Sequence, residues 1–287
     1  MSFSSNGQVH IGVDHQNSAP RGRPSVRLTS NKKYNDGLFV LDLAHMPGGT
    51  CGSWPAFWLV DQGTWPNNGE IDIIEGVNDQ SKNQVTLHTS DDCKLTSTPS
   101  MSAAAGGGFT GQVANENCYA YAEGMKGCGI SSTESASYGT GFNQNNGGVY
   151  ATEWTSAGVS VWFFPRNQIP NDLANSTGGA TLDPTTWPHP VARFAGGGCD
   201  WASHFKDQNI VFDITFCGQW AGQAWGQSGC ASKAATCQEY VENHASDFAE
   251  TFWTVNSLRV YRQQAQVRRR NVKSPHHRRA ARHAIIH

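Results

Sequence analysis

The chain is short of charge and of the residues that build helices. Charged residues make up 15% of its 287 positions, whereas Gly (31) and Trp (10) are abundant. A helical bundle would need more Leu, Glu, Lys and Ala, so that architecture is excluded. No apolar run reaches the length of a membrane-spanning helix, so no membrane span is expected. No two cysteines form a CxxC pair and the histidines complete no zinc-finger spacing, which excludes a small zinc module. No internal repeat is apparent, against a solenoid or propeller. Met1-Ser-Phe-Ser-Ser5 also lacks the basic and apolar regions of a signal peptide.

What is present narrows the class further. Eight cysteines, at 51, 93, 118, 128, 199, 217, 230 and 237, read as up to four disulfides in an oxidising compartment. Local spacing predicts Cys118–Cys128 and one bridge within Cys217, Cys230 and Cys237. Such cysteines fit a cytosolic protein badly, so the missing leader implies that the true N-terminus lies upstream. Seven Arg and Lys fall between Arg268 and Arg282 with no acid from residue 263 onward. Without them 14 basic residues face 23 acidic ones, so an acidic body carries a basic tail. Residues 1–262 read as one domain, and residues 263–287 as a disordered extension. An acidic body makes nucleic acid an unsuitable partner for the fold.

Strand signals recur. Phe39, Leu41 and Leu43 alternate within Gly37–Leu43, and Val85 and Leu87 alternate with Thr86 and His88. Val159, Val161 and Phe163 alternate with Ser160, Trp162 and Phe164. Ile210, Phe212, Ile214 and Phe216 do so with Val211, Asp213 and Thr215, and the domain closes on Ser257–Tyr261. These short runs, rich in β-branched and aromatic residues and bounded by turn formers, predict an antiparallel sandwich. One helix is expected over Ser232–Phe248. Met101–Gly111 and Tyr138–Gly148 read as loops too polar for the core. Asn175-Ser-Thr177 is a glycosylation sequon.

The chemistry concentrates in Asn67-Asn-Gly-Glu-Ile-Asp-Ile-Ile-Glu-Gly76. On a helix Glu70, Asp72 and Glu75 would scatter to about 0°, 200° and 140°. On a regular strand Glu70 and Asp72 share a face and Glu75 points away. One β-bulge near Ile73 or Ile74 returns Glu75 to the acidic face. Three carboxylates need a wet groove, where mutual repulsion spreads their pKa values and leaves one protonated and another ionised. A retaining glycosidase needs such a pair. A calcium site or a solvated edge would show the same acids. Trp54, Trp58 and Trp65 just upstream favour sugar, because aromatic faces hold sugar rings by apolar stacking.

Trp54-Pro-Ala-Phe-Trp-Leu59 followed by Trp65-Pro-Asn-Asn-Gly-Glu-Ile-Asp-Ile-Ile-Glu-Gly-Val77 resembles glycoside hydrolase family 16, on its fungal laminarinase side. Similarity continues through Val13-Asp-His15, Leu87-His-Thr-Ser90, Ala151-Thr-Glu-Trp154 and Phe216-Cys-Gly-Gln-Trp220. The resemblance implies an all-β jelly-roll sandwich of two curved antiparallel sheets with a concave substrate cleft. It implies retaining endo-hydrolysis of β-1,3 or mixed β-1,3/1,4 glucans by an extracellular monomer. Glu70 would be the nucleophile, Glu75 the acid/base and Asp72 their electrostatic partner, with no metal and no cofactor. Trp58, Trp65, His88, Trp154 and Trp220 would line the substrate path, although His88 reads equally well as a structural histidine. Family members normally begin with a signal peptide and opening strands, and this chain is expected to have neither. A glucan transglycosylase would share the chemistry with a sugar acceptor in place of water. A lectin-like glucan-binding protein would share the fold without turnover.

Overall fold

The computed structural model describes residues 2–3, 7–96, 108–174 and 181–262. Two seven-stranded antiparallel sheets lie face to face. The first runs β1 (Ser2–Phe3), β2 (Val9–Gly12), β14 (Phe252–Tyr261), β4 (Gly37–His45), β10 (Gly148–Thr155), β11 (Gly158–Pro165) and β12 (Ala192–Ala195). The second runs β3 (Arg27–Tyr34), β13 (Gln208–Phe216), β5 (Ser53–Val60), β6 (Glu70–Glu75), β7 (Gln84–His88), β9 (Cys128–Ser131) and β8 (Gln112–Asn115). Strands β1 and β2 pair at the edge of the first sheet, so the expectation that opening strands are absent is corrected: Ser2–Phe3 and Val9–Gly12 supply them.

The alternating residues meet where expected. Phe39, Leu41 and Leu43 from β4 pack between the sheets against Phe57, Leu59, Val85, Leu87, Val161, Phe163, Ile210 and Ile214. Each such side chain contributes roughly 1.5–3 kcal/mol through burial. The first sheet is covered on its outer face as well. There Leu38, Val40, Val149, Ala151, Trp162 and Phe164 lie under Leu173 and Trp187. The hydrophobic clusters of the described residues do not extend over the outer face of β5, β6 and β7, where Asp72, Glu75 and Thr86 are buried polar side chains instead.

Two expectations about local structure are corrected. The helix predicted over Ser232–Phe248 is broken into a 3₁₀ turn at Gly229–Ser232, an α-helix at Cys237–Asn243 and a 3₁₀ turn at Ala245–Phe248. Thr236 is the reason: its Oγ1 accepts the Glu239 N–H at 3.1 Å, so a fresh helix starts at Cys237. The loop Tyr138–Gly148 is not wholly outside the core. It contains a helix at Gly139–Gln144 and buries Tyr138 and Phe142. Gly139 permits this with φ of 57°, where a Cβ would meet the Gly49 backbone at 2.8 Å. The sequon, the tail from residue 263 and most of Met101–Gly111 lie outside the described residues.

All eight cysteines pair. Cys118–Cys128 and Cys217–Cys237 are the two short-range bridges that spacing suggested. Cys51–Cys230 and Cys93–Cys199 span 179 and 106 residues. In the chain-entropy model a loop of the longer kind stabilises by about 5 kcal/mol. Cys51–Cys230 and Cys217–Cys237 knit a small cluster with Trp225, Tyr240, Val241 and Phe248. Cys51 ties that cluster to the start of β5, and Cys217 ties it to the short helix Gly218–Ala221 that bears Trp220.

Candidate active site

Strand β6 lies inside the second sheet between β5 and β7. Trp58 pairs with Asp72 but Phe57 pairs with Ile74, so Ile73 is an inserted residue. On the other side Asp72 faces Thr86 and Glu75 faces Gln84, the same offset of one. This is the bulge that the acid spacing demanded. Ile71, Ile73 and Ile74 are all buried in the core, which leaves Glu70, Asp72 and Glu75 on the opposite face. Their cross-strand neighbours continue that face: Trp58 beside Asp72, His88 beside Glu70, and Arg27 opposite Asp213 two strands away.

The carboxylates sit in a poorly hydrated setting. Burial is the main cause that raises the Glu75 carboxyl to about 8. The Trp54 indole opposes it by donating to Glu75 Oε1 at 2.7 Å. Burial likewise raises Glu70 to about 7, against the Trp65 indole, Asp72 and the Arg27 charge. Asp72 is pushed well above the usual carboxylate range by burial and then by the charges of Glu70 and Glu75. The hydrogen bond shared by Asp72 and Glu70 favours the proton on Asp72 and the negative charge on Glu70. A third neighbour, Asp213, is raised to about 6 by burial, with Arg27 holding it lower through an ion pair of 3.7 Å.

Several polar atoms here are desolvated and still unsatisfied. Trp58 Nε1, Asp72 Oδ2 and His88 Nδ1 are buried without a hydrogen-bond partner among the described residues. Each such group costs about 1–3 kcal/mol, and functional sites are where such costs persist. The Trp58 indole faces the Asp213 carboxylate without closing a hydrogen bond to it. Its ring carries the Arg27 guanidinium at 4.6 Å. His88 Nε2 lies 3.6 Å from Asp72 Oδ2, and burial lowers the imidazole to about 4, so it is neutral near pH 7. Glu70, Asp72 and His88 each offer a ligand atom within 4.8 Å of one another. A divalent ion there would require Glu70 and Asp72 to release the protons that burial favours.

Aromatic rings frame the acids. Trp65 is 40% exposed on a loop held by Asp61, which accepts from Lys33 Nζ at 3.0 Å, Thr64 Oγ1 at 2.8 Å and Asn68 Nδ2 at 2.7 Å. Tyr121, 56% exposed, meets Trp65 edge-on at 5.6 Å. Trp220 meets Trp54 edge-on at 5.9 Å, which ties the disulfide-knit cluster to the Glu75 contact. Trp58, Trp65, His88 and Trp220 are thus brought together around Glu70, Asp72 and Glu75.

Trp154 is not. It is 2% exposed and stacks on Phe39 within the core, on the inner face of the other sheet. Its β10 neighbours Val149 and Ala151 are also buried, so aromatic content could not reveal which face it takes. Trp54 belongs to the tryptophan cluster noted beside the acids, whereas Asp213 was not singled out, its one signal being a lone acid inside an alternating strand. Arg27 carried no such signal.

The whole described domain has relatives. Residues 2–261 match the family model described as XgeA-like, catalytic GH16 domain. An endo-1,3(4)-β-glucanase of Arthroderma benhamiae is 46% identical over 264 residues, covering 90% of this chain and 55% of the relative. The chain thus spans about half the length of that curated relative. Laminarinase 16A of Phanerochaete chrysosporium, solved with β-glucans (6-O-glucosyl-laminaritriose) in both donor and acceptor sites, superposes with a TM-score of 0.82. It is 44% identical, with 90% of this chain and 84% of that one covered. An elongating family 16 β-1,3-glucosyltransferase superposes with a TM-score of 0.78 at 40% identity, covering 91% and 85%. With a jelly-roll sandwich, a bulged acidic strand and these matches along its length, the chain belongs to glycoside hydrolase family 16, among the XgeA-like catalytic domains.

Proposed function

We propose that residues 1–262 form a retaining endo-glucanase unit that cleaves internal β-1,3 or mixed β-1,3/1,4 glucan linkages. The observation that carries this reading is the bulge at Ile73, which puts three acids on one face beside unsatisfied indole and imidazole nitrogens. Above its folded pKa of about 7 Glu70 is ionised, a form that the Asp72 proton favours, and it attacks the anomeric carbon as the glycosidic C–O bond breaks. Glu75, protonated near neutral pH because burial raises it to about 8, gives its proton to the departing sugar oxygen. Water then attacks the glycosyl–Glu70 ester, Glu75 takes the water proton, and the Glu70 carboxylate is released. Sugar rings stack on Trp58, Trp65 and Trp220. The four disulfides support action in an extracellular, oxidising setting.

The test is a product assay on laminarin, lichenan and chitin with Glu70→Ser as control. New reducing ends are expected from laminarin and lichenan and none from chitin, with the control silent. A folded protein that binds laminarin and turns nothing over would make it a glucan-binding module instead. The glucosyltransferase relative makes chain length informative: products longer than the starting oligosaccharide would assign the domain to transfer.

A further inference from the structure

We propose that Asn83 is the positioning residue that holds Glu75 in place, acting on the backbone of the bulge from outside β6. The inference rests on the reading of Glu75 as acid/base. A bulge removes backbone groups from the sheet ladder, and buried backbone groups need replacement partners. Here one side chain supplies both. Asn83 Nδ2 donates to the Ile73 carbonyl at 2.8 Å, and the Glu75 N–H donates to Asn83 Oδ1 at 3.0 Å. The two contacts clamp the inserted stretch from either side of Ile74.

The clamp is itself rigid. Asn83 is 1% exposed, its N–H donates to Ser137 Oγ at 3.1 Å, and its carbonyl accepts the Ser132 N–H at 2.8 Å. Ser137 Oγ in turn donates to the Glu134 carbonyl at 2.6 Å. The amide orientation is unambiguous, because a carbonyl can only accept and a backbone N–H can only donate. Asparagine therefore fits a chemical demand. An ionised aspartate would meet the Ile73 carbonyl with like charge, and an aliphatic residue would leave both groups unpaired. Asn83 fixes the Glu75 backbone while Trp54 fixes its carboxylate at 2.7 Å. Together they set where the proton is delivered, and a displacement near 1 Å at such a group can cost about 100-fold in rate.

The test compares kcat/KM for two substrates. Cleavage of a laminari-oligosaccharide needs a proton on the departing sugar, whereas a 2,4-dinitrophenyl laminaribioside departs without one. Asn83→Ala is expected to lose about 10–100-fold on the oligosaccharide and less than about 3-fold on the aryl glycoside. Equal losses on both would reduce Asn83 to general scaffolding, and no loss would dismiss it. Should the alanine variant fail to melt cooperatively, Asn83→Asp keeps the volume and the acceptor for Glu75 while replacing the donor to Ile73 with a carboxylate oxygen that repels that carbonyl. The same split is expected, and its absence overturns the proposal. Glu75→Ala run in parallel must show the split in stronger form. If it does not, the reading of Glu75 fails; if it does while both Asn83 variants do not, only the Asn83 proposal fails.

Discussion

Glu75→Ala is expected to lower kcat/KM on laminarin by about 10³–10⁴-fold, the upper range for removing a group that serves as both acid and base. The variant should still fold, because the residue is held by its neighbours rather than holding them. Added azide separates its role from that of Glu70. Azide needs no general base, so in Glu75→Ala it attacks the glycosyl–enzyme on the face that water would use, giving a β-glycosyl azide from an activated substrate. In Glu70→Ala the space lies on the opposite face of the sugar, and azide attack there gives an α-glycosyl azide. Identical anomers from the two variants, or no rescue of either, would contradict the separate roles. The anomeric configuration is read directly from the proton spectrum of the product.

The second large effect is on stability, and its sign follows from the raised pKa values. The folded protein holds protons on Glu70, Asp72 and Glu75 that the unfolded chain gives up near the ordinary carboxylate value. Groups raised in this way contribute stability that is fully present below the unfolded pKa and lost as pH rises through the folded one. The window for Glu75 runs from 4.5 to about 8, and for Glu70 from 4.5 to about 7. At about 1.4 kcal/mol per pH unit the triad weakens the fold by several kcal/mol across that window. Glu75→Gln removes one titration and keeps the Oε1 acceptor for the Trp54 indole. Its melting temperature is expected to exceed that of the parent at pH 8 by roughly 5 °C and to match it near pH 4.5. Parallel melting curves at every pH, or a less stable variant at pH 8, would mean that Glu75 is not held protonated by burial. An inactive variant that is the more stable protein is what a site built on desolvated charge produces.

Much of this site was legible in the sequence, for physical reasons that can be named. Two glutamates five positions apart on a strand cannot share a face without an extra residue, so a shared face required a bulge near Ile73 or Ile74, and Ile73 proves to be that residue. The tryptophans of β5 were legible as a cluster just upstream of the acids. Parity failed where both faces of a strand are covered. Trp154 on β10 sits between an inner core and an outer cluster, and neither pattern nor residue type distinguishes the two sides. Asn83 was invisible because its partners, Ile73 and Glu75, become neighbours only once β6 bulges. The polar stretch around Tyr138 and Phe142 misled for a related reason: two rings reach the core while the glycines beside them carry the backbone past its neighbours. The short disulfides were local enough to guess. The long ones join ends of the fold that only the sheet topology brings together.

The central claim is that the bulged strand makes Glu70 a nucleophile, and trapping the intermediate tests it most directly. A 2-deoxy-2-fluoro laminaribiosyl fluoride should react and then stall, since fluorine at C2 destabilises the oxocarbenium-like transition state while fluoride departs readily. Peptide mass spectrometry of the stalled protein is expected to find one glycosyl adduct, on Glu70. An adduct on Glu75 or another residue, or an active protein that forms none and releases the inverted anomer, would contradict the account.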